Sequence, residues 1–467
     1  MRAHPSPARR RGAAPVPGLD RHVIVVDLGF GDAGKGTVVD RLCSRGPEPA
    51  GRSAVVRFNG GAQAAHNVVA PDGRHHTFAQ FGSGTFTRGV RTHLSRFMMI
   101  DPLALASEAA HLRSLGVADA LDRLTADRDA LLTTPYHRAA NRAREAARGA
   151  DRHGSCGLGI GETAAYALAD PGGAPRAGDC ASRPRLRRRL AAVRDWYRDT
   201  FPGGGEVPPV DDCADAFAAF AERVRIVDAT YLRWLLRTRA VVFEGAQGVL
   251  LDEWHGFYPY TTWSTTTSAN AETLLAEASA AGGGSAGGGA TRLGVLRAYA
   301  TRHGPGPFVT EDATLTAELP DRHNVAGRWQ GAFRVGHLDA VALRYALEAT
   351  GGVDALAVTH LDVARARPDL RVCRAYTIGG ERVERLPVGP PGDLERQAAL
   401  TRRVQTARPV YSPLADPVET VERELGGVPV VLRSYGPTRD DQDVRAPREP
   451  GPAPRRALPR PADRPTG

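Results

Sequence analysis

The stretch "HVIVVDLGFGDAGKGTVVDRLCSR", His22 to Arg45, decides the fold class. Val23 to Val26 form an unbroken β-branched run, as expected of a strand buried on both faces, and the run ends in a glycine-rich turn. Beyond Lys35, the apolar residues Val38, Val39 and Leu42 return at helical spacing. A strand, a glycine loop and a helix in succession aim backbone N–H groups and a helix N-terminus at a phosphate. The loop nearly fits G-x-x-x-x-G-K-[ST]. Gly29, Gly34 and Lys35 fall in place, but Gly36 stands where a Mg²⁺-binding hydroxyl belongs and Thr37 comes one residue late. Three readings are open at this point: a P-loop that has lost its metal ligand, a different phosphate loop, or a chance run of glycines. Composition argues against chance. Among 61 Lys+Arg, Lys35 is the single lysine, and a compact ammonium suits a tight phosphate cradle that a planar guanidinium would crowd.

Working outward, "SAVVRFNGG", "AVVFEGAQG", "ALAVTHLDV" and "GVPVVLRSYG" are further buried-strand candidates, each ending in a polar or glycine-rich turn. Helical periodicity marks "PLALASEAAHLRSLG", "YHRAANRAREAARG" and "VALRYALEATG". Strands alternating with helices predict an α/β fold: a large, mainly parallel, twisted sheet flanked by helices, with the phosphate loop after its first strand. Functional residues of such sheets gather at the carboxyl ends of the strands. The glycine tract "ASAAGGGSAGGGATRLG" is expected to be a flexible surface loop. Residues 1–20 and 444–467 are Pro/Arg-rich without apolar periodicity and are expected to be disordered tails around one domain, 21–443.

A 467-residue chain that is 42% hydrophobic can bury a large core. Its formal charge of +9 invites a nucleic-acid reading. The arginines are dispersed, however, and the clusters Arg9-Arg10-Arg11 and Arg187-Arg188-Arg189 fall in a tail and an expected helix, so solvated faces rather than a nucleic-acid groove are expected. Five cysteines without a C-x-x-C pair indicate neither a disulfide framework nor a cysteine zinc site and fit a reducing cytoplasm. No run approaches a membrane span, and the N-terminus lacks an apolar signal core.

Asp32 lies inside the phosphate loop, where a carboxylate beside bound phosphate is repelled unless a metal ion or a substrate proton compensates it. It is therefore a candidate metal ligand or base, a helix-capping role being the alternative. His66, in "VVRFNGGAQAAHNVV", is able to support charge on a transferring phosphoryl group, although a lone histidine is as often structural.

Taken together, "GDAGKG", "VVRFNGGAQAAHNVV", "YHRAANRAREAARG", "FEGAQGVLLDEWHGFYPY", "LRAYATRHGPGPFVTE", "GHLDAVALR" and "THLDV" resemble the adenylosuccinate synthetase family in order and approximate spacing over most of the chain. In that family the loop reads G-D-E-G-K-G-K, so the resemblance implies a distinct phosphate loop without the Ser/Thr ligand. It further implies a Mg²⁺- and GTP-dependent ligase that phosphorylates the 6-oxygen of inosine monophosphate (IMP) and displaces the phosphate with the amine of L-aspartate. By motif, Asp32 is the base at N1 and a Mg²⁺ ligand, Lys35 neutralises the phosphoryl group, and His66 supports the attacking oxygen. The Ala65 carbonyl is the second Mg²⁺ ligand. The resemblance assigns GTP to Gly31, Asp32, Ala33, Gly34, Lys35, Gly36, Thr37, His360, Asp362, Ser434 and Gly436. It assigns the other substrates to Gln63, His66, Cys156, Gln247, Thr262, Arg328 and Arg334. A homodimer is implied as well, with small-molecule partners only.

The chain departs from the family pattern at several of these places. Ala33 replaces the loop glutamate, Gln63 an asparagine, His360 a lysine beside the guanine-reading Asp362, Cys156 a phosphate-contacting threonine and Leu158 an arginine. Where the family has T-T-G-R-R-R-R, this chain reads Arg328-Trp329-Gln330-Gly331-Ala332-Phe333-Arg334. The expected function is the family reaction. The alternatives are a paralogue that joins another amine to an IMP-like nucleotide, or a non-catalytic nucleotide-binding protein, against which the joint presence of Asp32, Lys35, His66 and Gln247 weighs.

Overall fold

Because Val23, Ile24, Val25 and Val26 are all buried, the strand that carries them needs cover on both faces, and it lies in the middle of a ten-stranded sheet. The computed structural model describes residues 19, 21–44, 53–149, 152–281, 289–321, 324 and 329–445. In chain order the sheet strands are β1 (His22–Asp27), β2 (Ser53–Arg57), β3 (Arg91–Leu94), β4 (Leu124–Asp127), β5 (Arg225–Val227), β6 (Ala240–Glu244), β7 (Ala290–Arg297), β8 (Ala355–Thr359), β9 (Val430–Ser434) and β10 (Gln442–Val444). Their spatial order is β10-β9-β8-β7-β1-β6-β2-β3-β4-β5. All neighbours are parallel except β9 and β10, which run antiparallel at one edge. The chain leaves β1 toward β2 on one side and later fills β7 on the other, so β1 sits where the strand order reverses, the place at which such sheets open a crevice.

Alternate residues of β1 feed two cores. Ile24 and Val26 join Val241 and Phe243 of β6 and Leu296 of β7 on one face. Val23 and Val25 pack on the other face with Val38, Val39 and Leu42 of helix α1 (Lys35–Ser44). A third cluster holds a helical layer formed by α2 (Pro102–Ser114), α3 (Pro135–Arg148), α4 (Ile160–Ala169), α5 (Arg183–Thr200) and α6 (Val210–Arg223). Thr134 caps α3 by accepting the His137 N–H, with Pro135 at the first helical position. Arg187 of the basic cluster lies on α5 and pairs with Asp211 of α6.

The five strands expected from the sequence are β1, β2, β6, β8 and β9, and the expected helices are α1, α2, α3 and α7 (Ala340–Ala349). The glycine tract requires correction. A helix runs to Ala280 and β7 begins at Ala290, so its last residues, Ala290 to Gly294, belong to a central strand rather than a loop; residues 282–288 lie outside the described residues. β10 continues to Val444, one residue past the expected domain edge, while the two tails fall almost wholly outside the described residues. Among the described residues no helix is long and apolar enough to cross a membrane.

Candidate active site

The carboxyl ends of β1, β2, β6, β7, β8 and β9 converge on the phosphate loop. At its base is Asp27, the last residue of β1. One carboxylate oxygen accepts the N–H groups of Gly29 (2.8 Å) and Gly31 (3.3 Å), and the other accepts the Ala33 N–H (3.0 Å) and the Lys35 ammonium (2.8 Å). The loop is thus wrapped around a buried carboxylate. Lys35 keeps further N–H donors for a ligand in the adjoining cavity. The carbonyls of Asp32 and Ala33 are held from neighbouring strand ends, by Arg297 Nε (2.5 Å) and Thr359 Oγ1 (2.7 Å) respectively.

Two glycines explain the missing P-loop hydroxyl and the tightness of the loop. A Cβ at Gly36 would stand 2.7 Å from the Asn67 carbonyl and 3.2 Å from the His66 side chain, so the strand that carries His66 occupies the space of a Ser or Thr. A Cβ at Gly248 would meet the Gly29 carbonyl at 2.2 Å, which lets the segment after β6 press Gln247 against the loop. Asp32 and Gln247 both adopt φ of 57°, a left-handed conformation disfavoured for residues with a Cβ and frequent where function dictates geometry.

A cavity of about 470 Å³ is lined by Gly31, Asp32, Gly34 to Thr37, Gln63, Ala65, His66, Gln247, His360, Asp362, Ser434 and Gly436, among others. Burial pushes the Asp32 carboxyl above the ordinary aspartate range, against the pull of Arg297 and Lys35. His66 Nδ1 lies 2.5 Å from Glu244 Oε1, at the end of β6. Burial drives the imidazole down to about 4 despite that neighbour. Glu244, whose burial alone would raise it, is held at about 2 by Arg57, His66 and Ser83. The Ser83 N–H donates to it at 2.9 Å, and the Ser83 hydroxyl also contacts it. A neutral His66 therefore gives its Nδ1–H to Glu244, while its buried Nε2 has no partner. Both amide atoms of Gln63 and the Gln247 carbonyl oxygen are likewise buried without partners, and buried polar groups of this kind call for an explanation such as a ligand.

A second cavity of about 420 Å³ is lined by Asn141, Arg144, Glu145, Ser155, Cys156, Tyr260, Thr262 and Arg302, and it shares Gln63, Gln247, Leu251, His303 and Gln330 with the first. Its cations are occupied. Arg144 pairs with Glu162, Arg148 with Glu145, and Arg302 donates to the carbonyls of Pro305 and Pro307.

The structure thus gathers most of the residues singled out in the sequence. Ala33 is buried behind the loop and is not on the wall of either cavity. Arg334 is placed differently from the substrate-binding expectation. Its guanidinium pairs with Glu311 at 2.6 Å and donates to the carbonyls of Gly304 and Gly306, away from both cavity walls. Arg328 lies outside the described residues. Sequence reasoning missed Asp27, Glu244 and Arg297, although each is a charged residue ending an apolar strand that feeds the crevice.

Two adjoining cavities, one floored by a phosphate loop and faced by an unsatisfied imidazole, both facing unsatisfied amide groups, define a nucleotide-dependent enzyme of the doubly wound α/β class. The adenylosuccinate synthetase family profile matches residues 24–442. Adenylosuccinate synthetase of Alkalilimnicola ehrlichii is 34% identical over 445 residues, covering 91% of this chain and 98% of that protein. That of Nostoc punctiforme is 33% identical over 459 residues, covering 94% and 97%. Among solved structures, fully ligated adenylosuccinate synthetase from Plasmodium falciparum superposes with a TM-score of 0.75 at 22% identity, covering 91% of this chain and 100% of that one. The succinoaminodeoxyadenylate synthetase of cyanophage S-2L gives 0.56 at 20% identity, covering 91% and 95%. The chain belongs to the adenylosuccinate synthetase family, GTP-dependent ligases that form a C–N bond between IMP and aspartate in purine biosynthesis.

Proposed function

We propose that this chain phosphorylates the 6-oxygen of IMP with GTP in the first cavity and replaces that phosphate with the amine of L-aspartate. The observation that carries the reading is the shared wall of the two cavities, where Gln63 and Gln247 present unpartnered amide groups beside the phosphate loop. GTP takes the first cavity, with its phosphates over Gly31 to Thr37 and its base toward Asp362, Ser434 and Gly436. IMP takes the second, with its 6-oxygen at the shared wall.

An amide-like oxygen is a poor leaving group until it is phosphorylated, and loss of the N1 proton makes it nucleophilic. Asp32 takes that proton. Its carboxylate accepts no side-chain hydrogen bond among the described residues, while burial in the protein favours reprotonation. Lys35 offsets the charge of the transferring phosphoryl group. His66 is neutral beside Glu244. An arriving phosphoryl dianion favours the imidazolium, which Glu244 stabilises, so His66 is positioned to donate from Nε2 to a phosphoryl oxygen. The donor set suits Mg²⁺: the Asp32 carboxylate and the Ala65 carbonyl are hard oxygen ligands on one cavity wall. The ion would supply further neutralisation of phosphate charge.

The base is read less strictly than the family pattern implies. His360 is half-buried on the cavity wall, its imidazole is held well below its ordinary range by desolvation and Arg297, and it supplies no cation beside Asp362. The S-2L enzyme of the same fold was solved with dATP as energy donor. Cytoplasmic location and a homodimer complete the proposal. The test is purified protein with GTP, Mg²⁺, IMP and aspartate, followed by adduct mass and by IMP-dependent movement of ¹⁸O between bridging and non-bridging positions of GTP. Absence of both signals would refute the reading.

A further inference from the structure

An amino acid arrives at such a site as an ammonium and is nucleophilic only after losing a proton. Asp32 and His66 are already assigned to the oxygen side of the reaction, so the nitrogen side needs an acceptor of its own. Among the described residues that line both cavities, His303 alone carries a titratable side chain. It ends the strand Ala300–His303, which pairs antiparallel with Phe333–Gly336. Phe333, introduced where the family has an arginine, is its cross-strand partner, and the two rings meet edge to face with centroids 5.8 Å apart. His303 Nε2 lies 3.2 Å from the Gly331 carbonyl. A carbonyl only accepts, so Nε2 carries the hydrogen and Nδ1 of the neutral ring holds the lone pair. The other carboxylates nearby are occupied: Glu311 pairs with Arg334, and Asp321 with Arg297. His303 shares the wall of the first cavity with Asp32 and that of the second with Thr262, which places it at their junction.

Resting on the reaction proposed above, we infer that His303 is the general base that deprotonates the acceptor amine, through Nδ1, at the junction of the two cavities. The ammonium gives one proton to Nδ1, and the freed nitrogen lone pair bonds to C6 of the phosphorylated purine. The C6–O bond breaks with its electron pair going to phosphate, and the second nitrogen proton passes to that phosphate. The substituted loop then has a use: Gly331 and Phe333 hold the imidazole in one tautomer and one orientation.

The experiment compares wild type with His303→Gln, which retains a side-chain donor for the Gly331 carbonyl, and with His303→Ala. Each is assayed with aspartate and with hydroxylamine, an amine largely unprotonated at neutral pH. Both variants should lose roughly 100-fold or more in kcat/KM for aspartate, keep hydroxylamine turnover near wild type, and retain IMP-dependent ¹⁸O movement in GTP. Equal losses with both nucleophiles, or near-normal use of aspartate, would overturn the assignment. Wild-type protein that shows neither isotope movement nor adduct would instead sink the reaction itself, so the two failures are distinguishable.

Discussion

Asp32 and Lys35 stand three residues apart, in the phosphate loop and at the helix start, and each is tied to the loop by contacts that dictate what replacements do. Lys35 is 3% exposed, with its ammonium 2.8 Å from Asp27. Lys35→Arg keeps the charge but brings a wider planar group into that pocket, so turnover should fall about 10²- to 10⁴-fold. Asp32→Ala removes a side chain that buries little apolar surface. It should cost at least as much activity while leaving the thermal midpoint within a few degrees, as measured by calorimetry beside steady-state assays. Near-normal turnover in either variant would refute the assigned roles. Asp362 with a neutral His360 should give a GTP preference over ATP that is real but modest. Competition between the two nucleotides in one reaction decides it, and equal use would mean that Asp362 does not read the base.

At the scale of elements, the ends of strands carry the chemistry, and two strands show how charge placed there governs function and stability. Glu244 ends β6 and holds His66 at 2.5 Å. Glu244→Gln should lower kcat about 10²-fold with little change in KM for GTP, because the ring loses the partner that stabilises its imidazolium. Glu244→Ala leaves the buried Ser83 N–H without its acceptor and removes the charge felt by buried Arg57, at a cost of about 1–3 kcal/mol read by urea denaturation. On β3, His93 Nδ1 meets Thr125 Oγ1 of β4 at 3.0 Å, and burial lowers the imidazole from 6.5 to about 4. Its folded pKa lies below the unfolded one, so stability contributed by the neutral ring is complete above pH 6.5 and is lost as pH falls toward 4. The stability gap between wild type and His93→Gln should therefore shrink by about 3 kcal/mol across that window; a gap independent of pH would contradict the buried neutral state. Elements differ in how legible they are. β1, β2, β6, β8 and β9 read as strands because burial on both faces demands unbroken apolar runs. β7 was hidden by the adjoining glycine tract, where Gly294 is forced by Leu28, whose Cδ1 would lie 2.8 Å from a Cβ. The short β3 and β4 carry His93 and Thr125, polar residues whose partners are each other, far apart in sequence. Asp27 and Glu244 escaped notice for the same reason: only the assembled sheet shows a loop folded round one and a histidine hung on the other.

For the whole molecule, charge in the second cavity argues for a second chain. IMP brings a phosphate dianion, yet Arg144, Arg148 and Arg302 on that wall are occupied by Glu162, Glu145 and backbone carbonyls. His153 is pushed below its ordinary range by burial and by Arg148. Among the described arginines of this cavity two are neutralised by carboxylates and Arg302 spends its donors on backbone carbonyls, so a phosphate here is short of positive charge, and a buried phosphate without enough of it is strongly unfavourable. Apolar surface lies on the same side. Leu168, near the end of α4, is 72% exposed, and Trp263, packed against Gly161 of α4 and lining the cavity, is 45% exposed. Exposed large apolar side chains beside a site short of positive charge are what a subunit contact would cover, and a partner arginine reaching over α4 would supply the missing cation. The expected outcome is a homodimer in the presence of IMP and GTP by light scattering. Specific activity should fall on dilution and recover on concentration, because the monomer holds an incomplete IMP site. Replacing Leu168 with aspartate should weaken the dimer and raise KM for IMP far more than KM for GTP, whose phosphate loop lies wholly within one chain. A fully active monomer at every concentration would show that the phosphate is met from within the chain.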